Sequence, residues 1–404
     1  MYMKKIGIFT IGMADPTQGG SGVINYLLCD ELMKNGLRIK IFFLANQDFL
    51  NRHYVSDYLK ELENRGLEYE IIKTGMSTGS FVFGKKLFCQ LNQYEGCAEF
   101  IKKAGEEINN FDAIISFGSG WAMALADVEK PLFRVIEDPI QLRMKYGKNP
   151  LFFSPVFWKR KIQFWSINSK RFFRWLKKKW GEKHLLFIFS PSDAELYRRH
   201  NIDCRYFRIF TPEVKKIERS VCQSGKLIAL HIGTLESTGS MKMIDYLTKD
   251  LLPELTQLPF KIEIRFIGRW RQADKEKLSA KNWRNIELSF IGFVKSLEEE
   301  ISKADFFFSP IRYPVGVRTR VVTALSYGLP VVADKTVSLG APELVDGRDI
   351  IYTSNGKETR VVLERAYNNP KWLAEIGENG RLVWEKLYHP GKNVREIIKL
   401  LNLE

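Results

Sequence analysis

From Lys5 onward, short apolar runs alternate with amphipathic segments of helix length, and this alternation restricts the fold more than any single motif does. Such a chain reads as successive β-α-β units, because strands of a parallel sheet are covered on both faces and need crossover helices between them. The first half supplies "KIGIFTI", "RIKIFFL", "YEIIKT", "AIISFGS", "LFRVIE" and "LLFIFS"; the second supplies "KLIALHIG", "KIEIRFIG", "IELSFIG", "ADFFFSP" and "LPVVAD". The expected fold class is α/β, with two Rossmann-like, doubly wound parallel-sheet domains.

A length of 404 residues fits two such domains. The join is expected in the polar stretch Thr211–Gly225, "TPEVKKIERSVCQSG", which precedes the first strong strand of the second half. This gives an N-terminal domain over 1–215, a C-terminal domain over 216–385, and a last helix over 386–404 expected to pack back on the N-terminal domain. That helix starts after the break His389-Pro390-Gly391.

Charge narrows the partners. Lys and Arg number 62 against 47 Asp and Glu, a formal +15, so phosphorylated substrates, anionic lipid or nucleic acid would complement the surface. Five scattered cysteines contain no C-x-x-C pair, which disfavours a disulfide framework and a zinc site and fits a reducing, cytoplasmic setting. The opening "MYMKKIGIFTIGMADPTQGG" resembles a signal peptide only superficially. Its apolar run is short and ends at Asp-Pro, so it reads as a first buried strand. No apolar stretch approaches the roughly 18 residues that crossing a bilayer requires.

Two glycine-bearing helix starts follow strands, where backbone N–H groups and the positive dipole end suit phosphate. The first, "GGSGVINYLLCDELMKNG", places Gly19, Gly20 and Gly22 after the first strand. Its spacing is not G-x-G-x-x-G and no acidic residue ends the second strand, so a dinucleotide is not implied; a flexible turn before a helix is an equal reading. The second, "SPIRYPVGVRTRVVTALSYGLPVVAD", places Gly316 and the arginines 312, 318 and 320 between two strands. Arg318 and Arg320 at a helix start are candidate diphosphate ligands, since guanidinium binds phosphate oxygens in a planar fork.

The segment "IELSFIGFVKSLEEEISKADFFFSPIRYPVGVRTRVVTALSYGLPVVADKTVSLGAPELVDGRDIIYT" resembles the donor half of GT-B glycosyltransferases related to family 4, also called group 1. The matching order is a strand with "f-x-G-x-v", a helix, a strand ending in Pro, a Gly-rich loop, a helix of the "EAMA-x-G-x-PVV" type and a trailing "pE-x-v-x-dG". More loosely, "HLLFIFSPSDAELYRRHNID" resembles the end of the acceptor domain and "LIALHIGTLESTGSMKMIDYL" the start of the donor domain. The resemblance implies a GT-B fold whose two domains face a central cleft holding a nucleotide-sugar, with a UDP-sugar favoured. It implies base contacts from backbone at Gly292, Phe293 and Val294, diphosphate contacts from Arg318 and Arg320, ribose contact near Thr323, and phosphate contacts from the Gly233-Thr234 loop with Lys242. Two glutamates of the family pattern align with Val315 and Thr323, and the arginine that usually follows the first donor-domain glycine aligns with Thr234. The stereochemical course is therefore left open, and a non-catalytic GT-B subunit and a sugar-nucleotide epimerase stand as alternatives.

An inverting transfer needs a base for the acceptor hydroxyl. "LFRVIEDPIQLRMKYG" ends a strand in Glu137-Asp138-Pro139, so Asp138 is the first candidate, Glu137 the second, and Asp15 beside the glycine loop the third. A turn-forming role explains each aspartate equally well. No DxD-like motif is placed to hold a metal, so none is expected.

"WKRKIQFWSINSKRFFRWLKKKWGEK", residues Trp158 to Lys183, has ten Lys/Arg and one acidic residue with interleaved aromatics. The pattern suits an anionic membrane interface, with Trp158, Lys159, Arg160, Lys161, Trp165, Arg171, Trp175, Lys177, Lys178, Lys179 and Trp180 as contacts. A surface helix with its aromatics in the core is the competing reading; nucleic acid is disfavoured because no nucleic-acid motif accompanies the segment. The expected protein is cytoplasmic and peripheral on the inner membrane face, acting on a saccharide or lipid-linked acceptor in envelope polysaccharide synthesis.

Overall fold

The computed structural model of the chain describes residues 3–11, 20–46, 50–51, 53–74, 97–146, 161, 165, 168, 170–180, 186–217, 225–233 and 238–404. Two compact units emerge. One comprises Met1–Lys145, Asn149–Ile209 and Pro390–Glu404; the other comprises Tyr146–Lys148 and Phe210–His389.

The first unit holds a seven-stranded sheet of β1 (Lys5–Ile11), β2 (Arg38–Asn46), β3 (Glu68–Thr74), β4 (Ala113–Phe117), β5 (Leu132–Ile136), β6 (Leu186–Ile188) and β7 (Cys204–Tyr206). Their order is β3-β2-β1-β4-β5-β6-β7, and every ladder is parallel. β4 and β5 are buried at every position, as expected for strands covered on both faces. Beneath one face lies an aromatic cluster of Phe9, Phe42, Phe111 and Trp121, with the Phe9 and Phe42 rings stacked at 4.5 Å. The C-terminal helix Pro390–Leu400 belongs to this unit, and Lys4 Nζ donates to the Glu404 carbonyl at 3.1 Å.

The second unit repeats the plan with β8 (Lys226–Ile232), β9 (Lys261–Ile267), β10 (Ile286–Gly292), β11 (Phe306–Ser309), β12 (Val331–Asp334) and β13 (Ile351–Thr353), ordered β10-β9-β8-β11-β12-β13 and again parallel. In each sheet the order reverses beside the unit's first strand, between β1 and β4 and between β8 and β11. Such reversal points are where open α/β sheets bind ligands, at the carboxyl ends of the strands. Both sheets confirm the doubly wound α/β class.

Close packing also fixes the long helix Pro370–Leu387 against the turn into β12. A Cβ on Gly377 would lie 2.4 Å from the Gly328 carbonyl oxygen and 3.0 Å from the Pro330 ring. Gly377→Ala should therefore destabilise the chain by about 1–3 kcal/mol through overpacking. Urea unfolding measures this, and an unchanged midpoint would show that the contact yields without strain.

Candidate functional site

In the second unit, β8 ends at Ile232 and Gly233 follows with φ +150. Across the reversal point, the helix Thr319–Ser326 begins with Arg320 in its first turn. Arg320 packs its guanidinium directly on Gly233. A Cβ at that glycine would lie 2.0 Å from Arg320 Nη1, so the close approach requires the missing side chain as much as the backbone angle does. Nη1 is buried and has no hydrogen-bond partner among the described residues. Burial, then the charge of Arg318, pulls the Arg320 guanidinium down to about 10. A cation held in this way, at a helix start beside a glycine turn, offers the chemistry that a phosphate oxygen would use.

Arg318 behaves differently. Its Nη1 donates to the Val315 carbonyl at 3.0 Å and its Nη2 to the Tyr313 carbonyl, so it braces the loop that precedes the helix. Gly340 presses on that loop from the other side, where an added Cβ would meet the Gly316 carbonyl at 2.5 Å. The third arginine of the motif, Arg312, ties the end of β11 to neighbouring elements. Its Nε donates to Asp334 at 2.9 Å, its Nη1 pairs with Asp250 at 3.4 Å, and its guanidinium lies 3.7 Å from the Tyr246 ring centroid.

His231, the penultimate residue of β8, is buried with Nδ1 2.9 Å from the Phe308 carbonyl. Burial and the neighbouring Arg320 charge push it down to about 3, so it stays neutral and its Nδ1–H donates to the carbonyl. It is a packing residue beside Arg320, not a base.

The other donor-side candidates occupy the same end of the sheet or its flanking helices. The Gly292 carbonyl accepts from Gly268 N–H at 2.7 Å, and Phe293 is 71% exposed with the Arg269 guanidinium 5.7 Å from its ring centroid. Val294 is half-buried. Thr323 Oγ1 donates to the Thr319 carbonyl at 3.1 Å, which leaves its oxygen able only to accept from a ligand. Lys242, on the helix Thr238–Tyr246, is partly exposed and makes no ion pair among the described residues. Thr234 lies outside the described residues.

In the first unit, Gly20 opens the helix Gly20–Lys34 and Gly22 is buried within it. Ser21 of that first turn hydrogen-bonds Glu137, which follows β5 and is half-buried. Burial raises the Glu137 carboxyl above its usual range; the Asp138 charge raises it further, while the Ser21 bond and Arg143 oppose the shift. Asp138 itself is exposed. The surroundings therefore perturb Glu137. Close by in the chain, Asn25 Nδ2 donates to Thr10 Oγ1 at 2.8 Å, a buried polar pair joining this helix to β1 that sequence reasoning missed. Asp15 and Gly19 lie outside the described residues. Among the described residues no group of His, Cys, Asp and Glu side chains is arranged to hold a metal ion.

Residues 226–365 match the family model described as Glycosyl transferases group 1. No curated protein sequence matches the chain. Among solved structures, Anabaena HepE in complex with UDP and glucose is similar at 15% identity and a TM-score of 0.63, with 99% of each chain covered. TarM is similar at 12% identity and a TM-score of 0.67, with 99% of each covered. Sucrose-phosphate synthase from Thermosynechococcus elongatus is similar at 13% identity and a TM-score of 0.66, covering 99% of this chain and 98% of that one. The sheet orders and these likenesses together establish the GT-B fold.

Proposed function

We propose that this GT-B chain, with its group 1 glycosyltransferase region at 226–365, transfers a sugar from a nucleotide diphosphate donor to a saccharide hydroxyl. The observation that carries the reading is Arg320, whose guanidinium is held on Gly233 at the carboxyl end of β8 with Nη1 buried and unpartnered among the described residues. In the transfer, the acceptor oxygen bonds to the anomeric carbon as the bond from that carbon to the diphosphate oxygen breaks. The electron pair leaves on the diphosphate, where Arg320 and the helix N-terminus stabilise it. The hydroxyl proton passes to a base, for which Glu137 is the residue best suited by environment. A UDP-sugar is the favoured donor, consistent with the UDP bound in HepE. The acceptor class is a saccharide, free or carried on lipid, of the kind used in envelope polysaccharide synthesis.

Thermal unfolding against UDP, GDP, ADP, CMP and dTDP tests the donor site. One diphosphate at ~100 times its dissociation constant should add about 2.7 kcal/mol to the folded state. Product analysis with the matching sugar nucleotide then separates the chemistries: a new glycoside supports transfer, whereas an altered sugar nucleotide indicates epimerisation. Binding of no diphosphate would reject the donor site itself.

A further inference from the structure

The helix Lys170–Trp180, "KRFFRWLKKKW", contains six cations and no acidic residue in eleven positions. Its two faces do different things. Phe172, Phe173 and Leu176 are buried in a cluster with Ile188, Tyr197 and Cys204, and Phe173 stacks on the His200 ring at 3.6 Å. At 3.6 residues per turn these three share one side, and Lys170, Arg171, Arg174 and Lys178 share the other. All four of those cations are exposed, and none makes an ion pair among the described residues. Elsewhere in the unit, surface cations such as Arg65, Arg199 and Arg205 are matched by carboxylates. The helix is thus seated by its rings and presents a dense stripe of positive charge that no described residue neutralises.

We propose that this exposed face is an adsorption surface for a bilayer carrying anionic headgroups. Four long, flexible cations along one helix face need no shape match, which suits a uniformly charged sheet. Single-stranded nucleic acid would require rings on the same face for its bases to stack on. Here Phe172 and Phe173 point into the core, and Trp175 packs against the same cluster. Trp165, five residues before the helix, is 76% exposed, and a tryptophan in that state gains by lodging at headgroup depth. Among the described residues no helix is long and apolar enough to cross a membrane. The inference does not rest on sugar transfer; where transfer also holds, it favours an acceptor saccharide carried on lipid.

The test is co-sedimentation of the full chain with vesicles of phosphatidylcholine alone or with about a third phosphatidylglycerol, a content at which each basic residue adds about 5-fold in partitioning. The expected result is binding to the anionic vesicles only, weakened by high salt. Exchanging Lys170, Arg171, Arg174 and Lys178 together for Gln should lower partitioning roughly 600-fold. Exchanging Lys for Arg and Arg for Lys at the same four positions should preserve it. The thermal shift with nucleotide diphosphate should stay intact in both variants, showing that fold and donor site survive. Equal partitioning of the Gln variant and the wild type would overturn the proposal, as would no binding to anionic vesicles at low salt. Tighter binding to poly(U) than to vesicles, lost in the same variant, would overturn it in favour of nucleic acid.

Discussion

Replacing Arg320 by Met is expected to raise the melting temperature of the ligand-free protein and to abolish its stabilisation by nucleotide diphosphate. The two effects share one cause. Without an anion, the buried guanidinium holds its charge against burial and against Arg318, at a cost on the order of 3 kcal/mol, which Met removes. With an anion, the same guanidinium offers a charge-assisted fork to phosphate oxygens, and Met offers nothing. Because the leaving diphosphate gains a further negative charge as the anomeric bond breaks, kcat/KM should fall roughly 10²- to 10³-fold. Arg320→Lys should fall between the two, keeping charge but losing the planar fork. Gly233→Ala should mimic the loss from the other side, since its Cβ would claim the space 2.0 Å from Nη1. Differential scanning fluorimetry with and without the diphosphate, followed by initial rates, reads all three variants. If Arg320→Met retained the full diphosphate shift, the guanidinium would not be the phosphate ligand.

Much of the architecture was legible because parallel strands must be apolar on both faces, and runs such as "AIISF" and "PVVAD" announce themselves. What escaped were β7 and β13, each of three residues, "CRY" and "IYT". A three-residue strand is too short to display a period, and it exists only because a neighbouring strand offers a ladder: β7 on β6 and β13 on β12. Their positions are tertiary facts.

The site was legible to the level of the motif and no further. Glycine and arginines at a helix start pointed to phosphate, yet nothing local distinguishes Arg318 from Arg320. The difference lies in whether a nearby carbonyl captures the guanidinium, as Val315 and Tyr313 capture Arg318. Arg312 was part of the same motif, but its partners Asp250 and Asp334 come from other elements and hold it in a bracing role. Likewise, the basic aromatic helix showed its period in sequence, but which of its rings are buried depends on a cluster built by β6, β7 and the helix Pro191–Arg198.

Glu137 should give the transfer reaction an acid limb that inflects above the usual carboxylate range, and Glu137→Gln should remove that limb while lowering the rate about 10²-fold or more. A base must be ionised to accept the acceptor proton, and burial followed by the Asp138 charge resists that ionisation, so activity rises only as pH passes the raised value. The same shift fixes the sign for stability. A carboxyl whose folded value lies above its unfolded value favours folding fully below the unfolded value, and that contribution is lost as pH rises through the folded one. Glu137→Gln should therefore melt higher than the wild type at neutral pH, above the unfolded value, and gain little below about pH 4, where the carboxyl is protonated in both states. Two neighbours give opposite corrections. Ser21→Ala removes a bond that favours the ionised form and should move the limb to higher pH; Asp138→Asn removes a repelling charge and should move it lower. Rate profiles and melting curves across pH for these three variants decide the assignment. A limb that survives Glu137→Gln unshifted would belong to another group, and opposed movements in Ser21→Ala and Asp138→Asn would place the titrating proton on Glu137.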